Sequence, residues 1–173
     1  MYRLIDTSAA WIARAIALLG GFVLIAVIIM TCLSIIGRTG TAIGLGPVPG
    51  DFELVELGVG FAIFCFMPWA QYARAHARVD LFTPAFSGWQ NRLMDVVADL
   101  GLLVSAFIIA KQLRLGMLDK IQYFETSFIL HMPLWWGYAA AMLGAVAWVL
   151  VAAFCLMRSS LDLAKGGEAY EQL

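Results

Sequence analysis

The chain has 173 residues, 62% of them hydrophobic and 13% charged, with a formal net charge of −1. Soluble domains carry about 45–50% apolar and about 25% charged residues, so most of this surface must meet lipid. The near-zero charge gives no global basic field and argues against nucleic acid as a partner.

A spanning helix needs about 20 mostly apolar residues, because each adds about 1.5 Å across about 30 Å of hydrocarbon. The segment 15–37 has no charge. It is too long for the apolar region of a signal peptide and no A-x-A site follows, so it reads as a retained first helix. Before it, Trp11 stands between Arg3 and Arg14, which suits an interfacial lead-in. The next stretch holds Gly40, Gly44, Gly46, Pro47, Pro49 and Gly50 and predicts an irregular loop. Asp51 is the expected N-cap of the second helix.

That helix is expected over 53–73, opening with Glu53 and Glu56 and charge-free from Leu57. Pro68 predicts a kink near its end. A basic connection follows, with Arg74, His76 and Arg78. The third helix, 89–115 or longer, carries Arg92, Asp95, Asp99, Lys111 and Arg114, and only 100–110 is charge-free. At about 100° per residue, Arg92, Asp95, Asp99 and Arg114 share roughly a third of the circumference with Ala106 and Ala110. Charges facing lipid are costly, so this face is expected to meet other helices. No break occurs before about Tyr123, which leaves the helix free to project beyond the membrane.

The fourth helix is expected over 132–157, charge-free throughout. Pro133 fits its first turn, and Trp135, Trp136 and Tyr138 fit the membrane interface. Gly137 and Gly144 are seven apart on nearly one face, which suits close packing with another helix. A polar tail, 158–173, closes the chain. The expected architecture is a single all-α transmembrane domain over 1–173 with about four spans, since lipid requires backbone groups to be bonded within each span. With both termini cytoplasmic, lysines and arginines divide seven inside (Arg3, Arg14, Arg74, Arg78, Arg92, Arg158, Lys165) against four outside (Arg38, Lys111, Arg114, Lys120). That excess favours both termini inside.

The polar constellations each admit two readings. Glu53 and Glu56 share a face at a positive helix end: an ion or subunit contact, or an ordinary solvated helix start. Asp95 and Asp99 are one turn apart: a proton relay or cation site, or structural pairing with Arg92 or a neighbouring subunit. The stretch from Arg74 through His76, Arg78 and Asp80 suits lipid head-group binding or a subunit contact, or is the positive-inside signal alone. His76 and His131 stand at helix ends on opposite sides, which argues against a haem cofactor held between helices. Cys32, Cys65 and Cys155 lie singly in apolar runs, fit neither a disulfide framework nor a metal site, and read as packing residues. No nucleophile–base pair, phosphate loop or metal-ligand spacing is visible, so neither an enzyme nor a cofactor is expected.

Taken together, these motifs resemble the small membrane subunit, DctQ-type, of tripartite ATP-independent periplasmic (TRAP) transporters. The resemblance rests on the acidic opening Asp51, Glu53 and Glu56, and on the R-x-H-x-x-V-D pattern of Arg74, His76, Val79 and Asp80. A third element is Thr126, Met132, Pro133, Trp135, Trp136 and Tyr138, continuing to Gly144. It covers roughly 15–157; Met142 departs from it, where a proline is expected before the glycine. The resemblance implies a non-catalytic scaffold in the bacterial inner membrane. It implies a large multi-pass DctM-type subunit holding the substrate and sodium sites, and a DctP-type periplasmic binding protein that delivers organic acids such as C4-dicarboxylates. The competing readings are a self-contained small transporter relying on Asp95 and Asp99, and a subunit of a membrane enzyme.

Overall fold

In hydrocarbon a peptide group has no water to bond, so an apolar segment must satisfy its backbone internally. The computed structural model describes residues 2–41, 44–75 and 88–164. They form α1 (Tyr2–Thr39), α2 (Asp51–Tyr72), α3 (Gly88–Gln122) and α4 (Trp135–Ala164). All four are long and apolar enough to cross a membrane, so the chain adopts the expected all-α, four-span architecture. α1, at 38 residues, extends about 57 Å at about 1.5 Å per residue. Its first two turns continue the spanning helix without a break.

The N-cap of α2 is Gly50, at φ 72°, and no side chain caps the helix. Asp51 is therefore not the cap the sequence suggests. Its carboxylate is drawn sideways to α1, where Ser34 Oγ donates at 2.6 Å and Arg38 at 2.5 Å. As the first helical residue it still sits at the favourable positive helix end. α2 runs on through Pro68 to Tyr72.

α2 and α3 end alike. Arg74 N–H donates to the Gln71 carbonyl and Ala75 N–H to that of Ala70; Phe124 N–H donates to Ile121 and Glu125 N–H to Lys120. This is the Schellman closure, which usually uses glycine in the left-handed position. Here Arg74 (φ 50°) and Phe124 (φ 51°) occupy it.

Pro133 lies outside the first turn of α4, which opens at Trp135. The connection from α3 is held as a small hairpin: Ser127 N–H donates to Met132 and Leu134 N–H to Glu125. Pro133 bridges back to Thr126, so it belongs to the loop.

α1 packs on α2, α2 on α4, and α4 on α3. α4 supplies most of the core, with Ala141, Ala145, Trp148, Val151, Ala152 and Cys155 buried. Gly137 meets Leu57, and Gly144 meets the Phe64 backbone, where an added Cβ would lie only 2.5 Å away. Both contacts advance by seven residues, so α2 and α4 run parallel with a coiled-coil-like register. The small residues of α4 let two backbones approach as membrane helix pairs do.

Candidate functional site

Polar side chains gather at the two ends of the bundle. At one end α2 terminates beside the start of α3 and the end of α4. The left-handed turn at Arg74 swings its guanidinium back over the bundle. There it meets the Asp95 carboxylate at 3.2 Å and Asp99 at 3.9 Å, and donates to Ser159 Oγ at 2.8 Å. Asp99 is buried. Its Oδ2 accepts from the Ser159 hydroxyl, and its Oδ1 from Gln71 Nε2 at 3.3 Å. Gln71 Oε1 accepts from the Trp148 indole at 3.5 Å. Removing a carboxylate from water is affordable only when its charge and lone pairs are matched, and this network matches both. Nearby, Tyr72 donates to Asp6 of α1 at 3.1 Å, with the Arg158 guanidinium 5.9 Å from its ring centroid. The start of α1 and the end of α4 thus lie at the same end of the bundle.

At the opposite end, Asp51 ties α2 to Ser34 and Arg38 of α1, and Arg38 also lies over the Phe52 ring. Glu53 performs a different task from Glu56. Its carboxylate accepts the backbone N–H groups of Ile129 at 2.7 Å and Leu130 at 3.0 Å, pinning the α3–α4 loop to the start of α2. Gly50 completes the seat: it is left-handed, and a Cβ there would meet Leu130 Cγ at 2.5 Å. Lys120 and Glu125 pair across the base of the same loop at 2.6 Å.

Of the residues singled out in the sequence, Arg74, Asp95 and Asp99 come together in one cluster. Glu53 and Glu56 part company: Glu53 is half-buried against the loop and Glu56 is exposed. Arg92 is half-buried near the start of α3, whereas Arg114, assigned to the same stripe, is exposed. Trp135 and Trp136 are exposed, ring edge to ring face with centroids 6.2 Å apart. Tyr138 lies against Gly116 of α3, and Gly144 against α2. His76, Arg78 and Asp80 fall outside the described residues. Gln71, Ser159 and Trp148 were not marked by the sequence. Gln71 does carry a signal, as an amide inside an otherwise apolar segment. All three cysteines are free thiols, and among the described residues no group of His, Cys, Asp and Glu converges as a metal site.

A family model described as the DctQ component of tripartite ATP-independent periplasmic transporters matches residues 27–162. No curated protein and no solved structure matches the chain. The matched stretch begins in the middle of α1, ends in the last turns of α4, and takes in the Arg74 cluster, the Glu53-pinned loop and the α2–α4 glycine contacts. The chain therefore belongs to the DctQ family, and it is a multi-pass membrane component of a tripartite ATP-independent periplasmic transporter.

Proposed function

We propose that this chain is the non-catalytic scaffold subunit of a sodium-driven importer of organic acids. It sits in the bacterial inner membrane with both termini cytoplasmic. It braces a large multi-pass DctM-type subunit that holds the substrate and sodium sites, and a periplasmic DctP-type protein delivers the substrate. The observation that carries the reading is the closure of the buried acid. Both oxygens of Asp99 are engaged inside the chain by Gln71, Ser159 and Arg74. A cation or proton site needs acceptor oxygens open to the moving ion; a brace needs a locked joint. The orientation is supported by Arg14, Arg74 and Arg158, which stand at the end of the bundle that also holds the start of α1 and the end of α4, as the positive-inside rule expects of a cytoplasmic end. The site residues at the two ends act, in this reading, as fasteners that keep four helices in one register while the partner moves.

Transport by reconstituted protein tests this. The chain alone, and the complex purified with its large partner, are placed in liposomes under a sodium gradient. Binding protein and labelled C4-dicarboxylate, 2-oxo acid or sialic acid are added outside. Uptake is expected only from the complex. Uptake by the chain alone, abolished by Asp99→Asn, would make it a self-contained transporter and overturn the scaffold assignment.

A further inference from the structure

The register of the helices sets two cations of α3 level with apolar stretches of its neighbours. Tyr138 of α4 lies on Gly116, and Trp148 and Ala152 pack with Ala106. Between these contacts, Lys111 is level with Leu143, and Arg114 with Ala140. Gly144 abuts Phe64 of α2, and Ala62 and Cys65 of α2 abut Gly20 of α1. The plane through Lys111 therefore crosses the charge-free runs 57–73 and 132–157 near their middles and meets the run 15–37 near Gly20. Lys111 and Arg114, which the lysine and arginine count places outside, are thus level with apolar stretches of the neighbouring helices.

Lys111, Gln112 and Arg114 are all exposed; at about 100° per residue Lys111 and Gln112 lie with Phe107 and Ile108 on the side of α3 away from Ala106, and Arg114 flanks it. Snorkelling gives Lys111 little relief. From Leu143 to Trp135 is eight residues, about 12 Å along the axis. Side chains on α3 lean toward its N-terminus, away from that interface, and the Arg74 end is farther still. Among the described residues, Asp95 and Asp99 are engaged with Arg74, Asp51 with Arg38, Asp6 with Tyr72, Glu53 with the α3–α4 loop and Glu125 with Lys120. Intramembrane cations are expensive facing lipid and are found paired or turned inward.

We infer that the Lys111–Gln112–Arg114 face of α3 is the seat of a transmembrane helix of the large partner subunit, and that this helix carries a carboxylate at mid-depth. The inference rests on the scaffold reading, since it needs that partner to be bound. Charge complementarity selects the occupant: a purely apolar helix or lipid would leave two cations desolvated and unpaired. The neighbouring Phe107 and Ile108 supply the apolar contact on which such a helix packs.

The test uses the tagged full chain in its native membranes, extracted in mild detergent, with the large subunit quantified by mass spectrometry. The Lys111→Leu/Arg114→Leu variant makes α3 more apolar, so insertion of the isolated chain is preserved, as its helicity and elution position will verify. Recovery of the large subunit is expected to fall by at least about tenfold, the scale of losing a desolvated charge pair. A second readout places a bimane label at Gln112→Cys in a Cys32→Ala background. Mid-chain brominated lipids should quench it in the isolated chain and much less in the complex. Stoichiometric recovery with wild type and equal recovery with the double variant would overturn this interface and leave the scaffold reading standing. So would equal quenching in both states. If wild type itself recovers no large subunit, both fall.

Discussion

Arg74 sits under two opposed demands, and Arg74→Gly separates them. The residue occupies a left-handed turn at φ 50°, where a side chain costs about 1–2 kcal/mol that glycine would not incur. On backbone grounds alone the variant should be more stable. Against that, the guanidinium is 3.2 Å from Asp95, 3.9 Å from Asp99 and 2.8 Å from Ser159 Oγ. Removing one partner of a buried pair costs about 3–5 kcal/mol, because the other charge is left uncompensated. The net expectation is a loss of about 1–4 kcal/mol, the difference between those two estimates. Reversible unfolding in mixed micelles, followed by near-UV circular dichroism of the tryptophans, measures it; Trp148 belongs to the same network. Asp99→Asn in the Arg74→Gly background removes the stranded charge while keeping a side chain that Gln71 and Ser159 can bond. The double variant should recover at least about 1 kcal/mol relative to additivity. If Arg74→Gly proves as stable as wild type or more so, the cluster is not the fastener described, and the left-handed arginine has no energetic explanation here.

Two further substitutions probe the packing and the loop. Gly144→Leu drives a side chain into the Phe64 backbone, 2.5 Å from where its Cβ would stand. It should destabilise the bundle by about 1–3 kcal/mol or more by overpacking in the same unfolding assay. Gly101→Ala, on α3 with nothing within 4 Å of the added carbon, should be neutral or slightly stabilising, and a large loss there would contradict the helix arrangement. Glu53→Gln replaces a two-oxygen acceptor by one oxygen and a donor, so one of the Ile129 and Leu130 amides loses its partner. Hydrogen exchange at those two amides should accelerate several-fold while exchange in the middle of α4 is unchanged. Unaltered protection at Ile129 and Leu130 would mean that the carboxylate does not pin the loop.

The four spans were legible because each leaves a one-dimensional trace: a charge-free run, or in α3 an apolar interval between charges. The α2–α4 contact was half legible. Gly137 and Gly144 announced a close approach, but their partners Leu57 and Phe64 have no mark in sequence. What could not be read depends on where chain segments meet. Asp51 looked like a cap because an acid at a helix start usually is one; its true partners, Ser34 and Arg38, are a helix away. Glu53 and Glu56 looked like a pair because they are three apart. Glu53 is distinguished by bonds to backbone amides, which no residue identity reveals. Pro133 fitted a first turn until the pairing of the α3–α4 loop is known. The register that sets Lys111 and Arg114 level with apolar stretches of α2 and α4 depends on the neighbouring helices, so no reading of α3 alone could supply it.

The central claim is that this chain works as a bound subunit. Co-purification of the tagged protein from native membranes in mild detergent, with mass spectrometry of the recovered complex, tests it most directly. The account predicts a large multi-pass membrane subunit in stoichiometric amount. Recovery of this chain alone, as a stable homo-oligomer, would contradict it and make Asp95 and Asp99 the first place to look for transport chemistry.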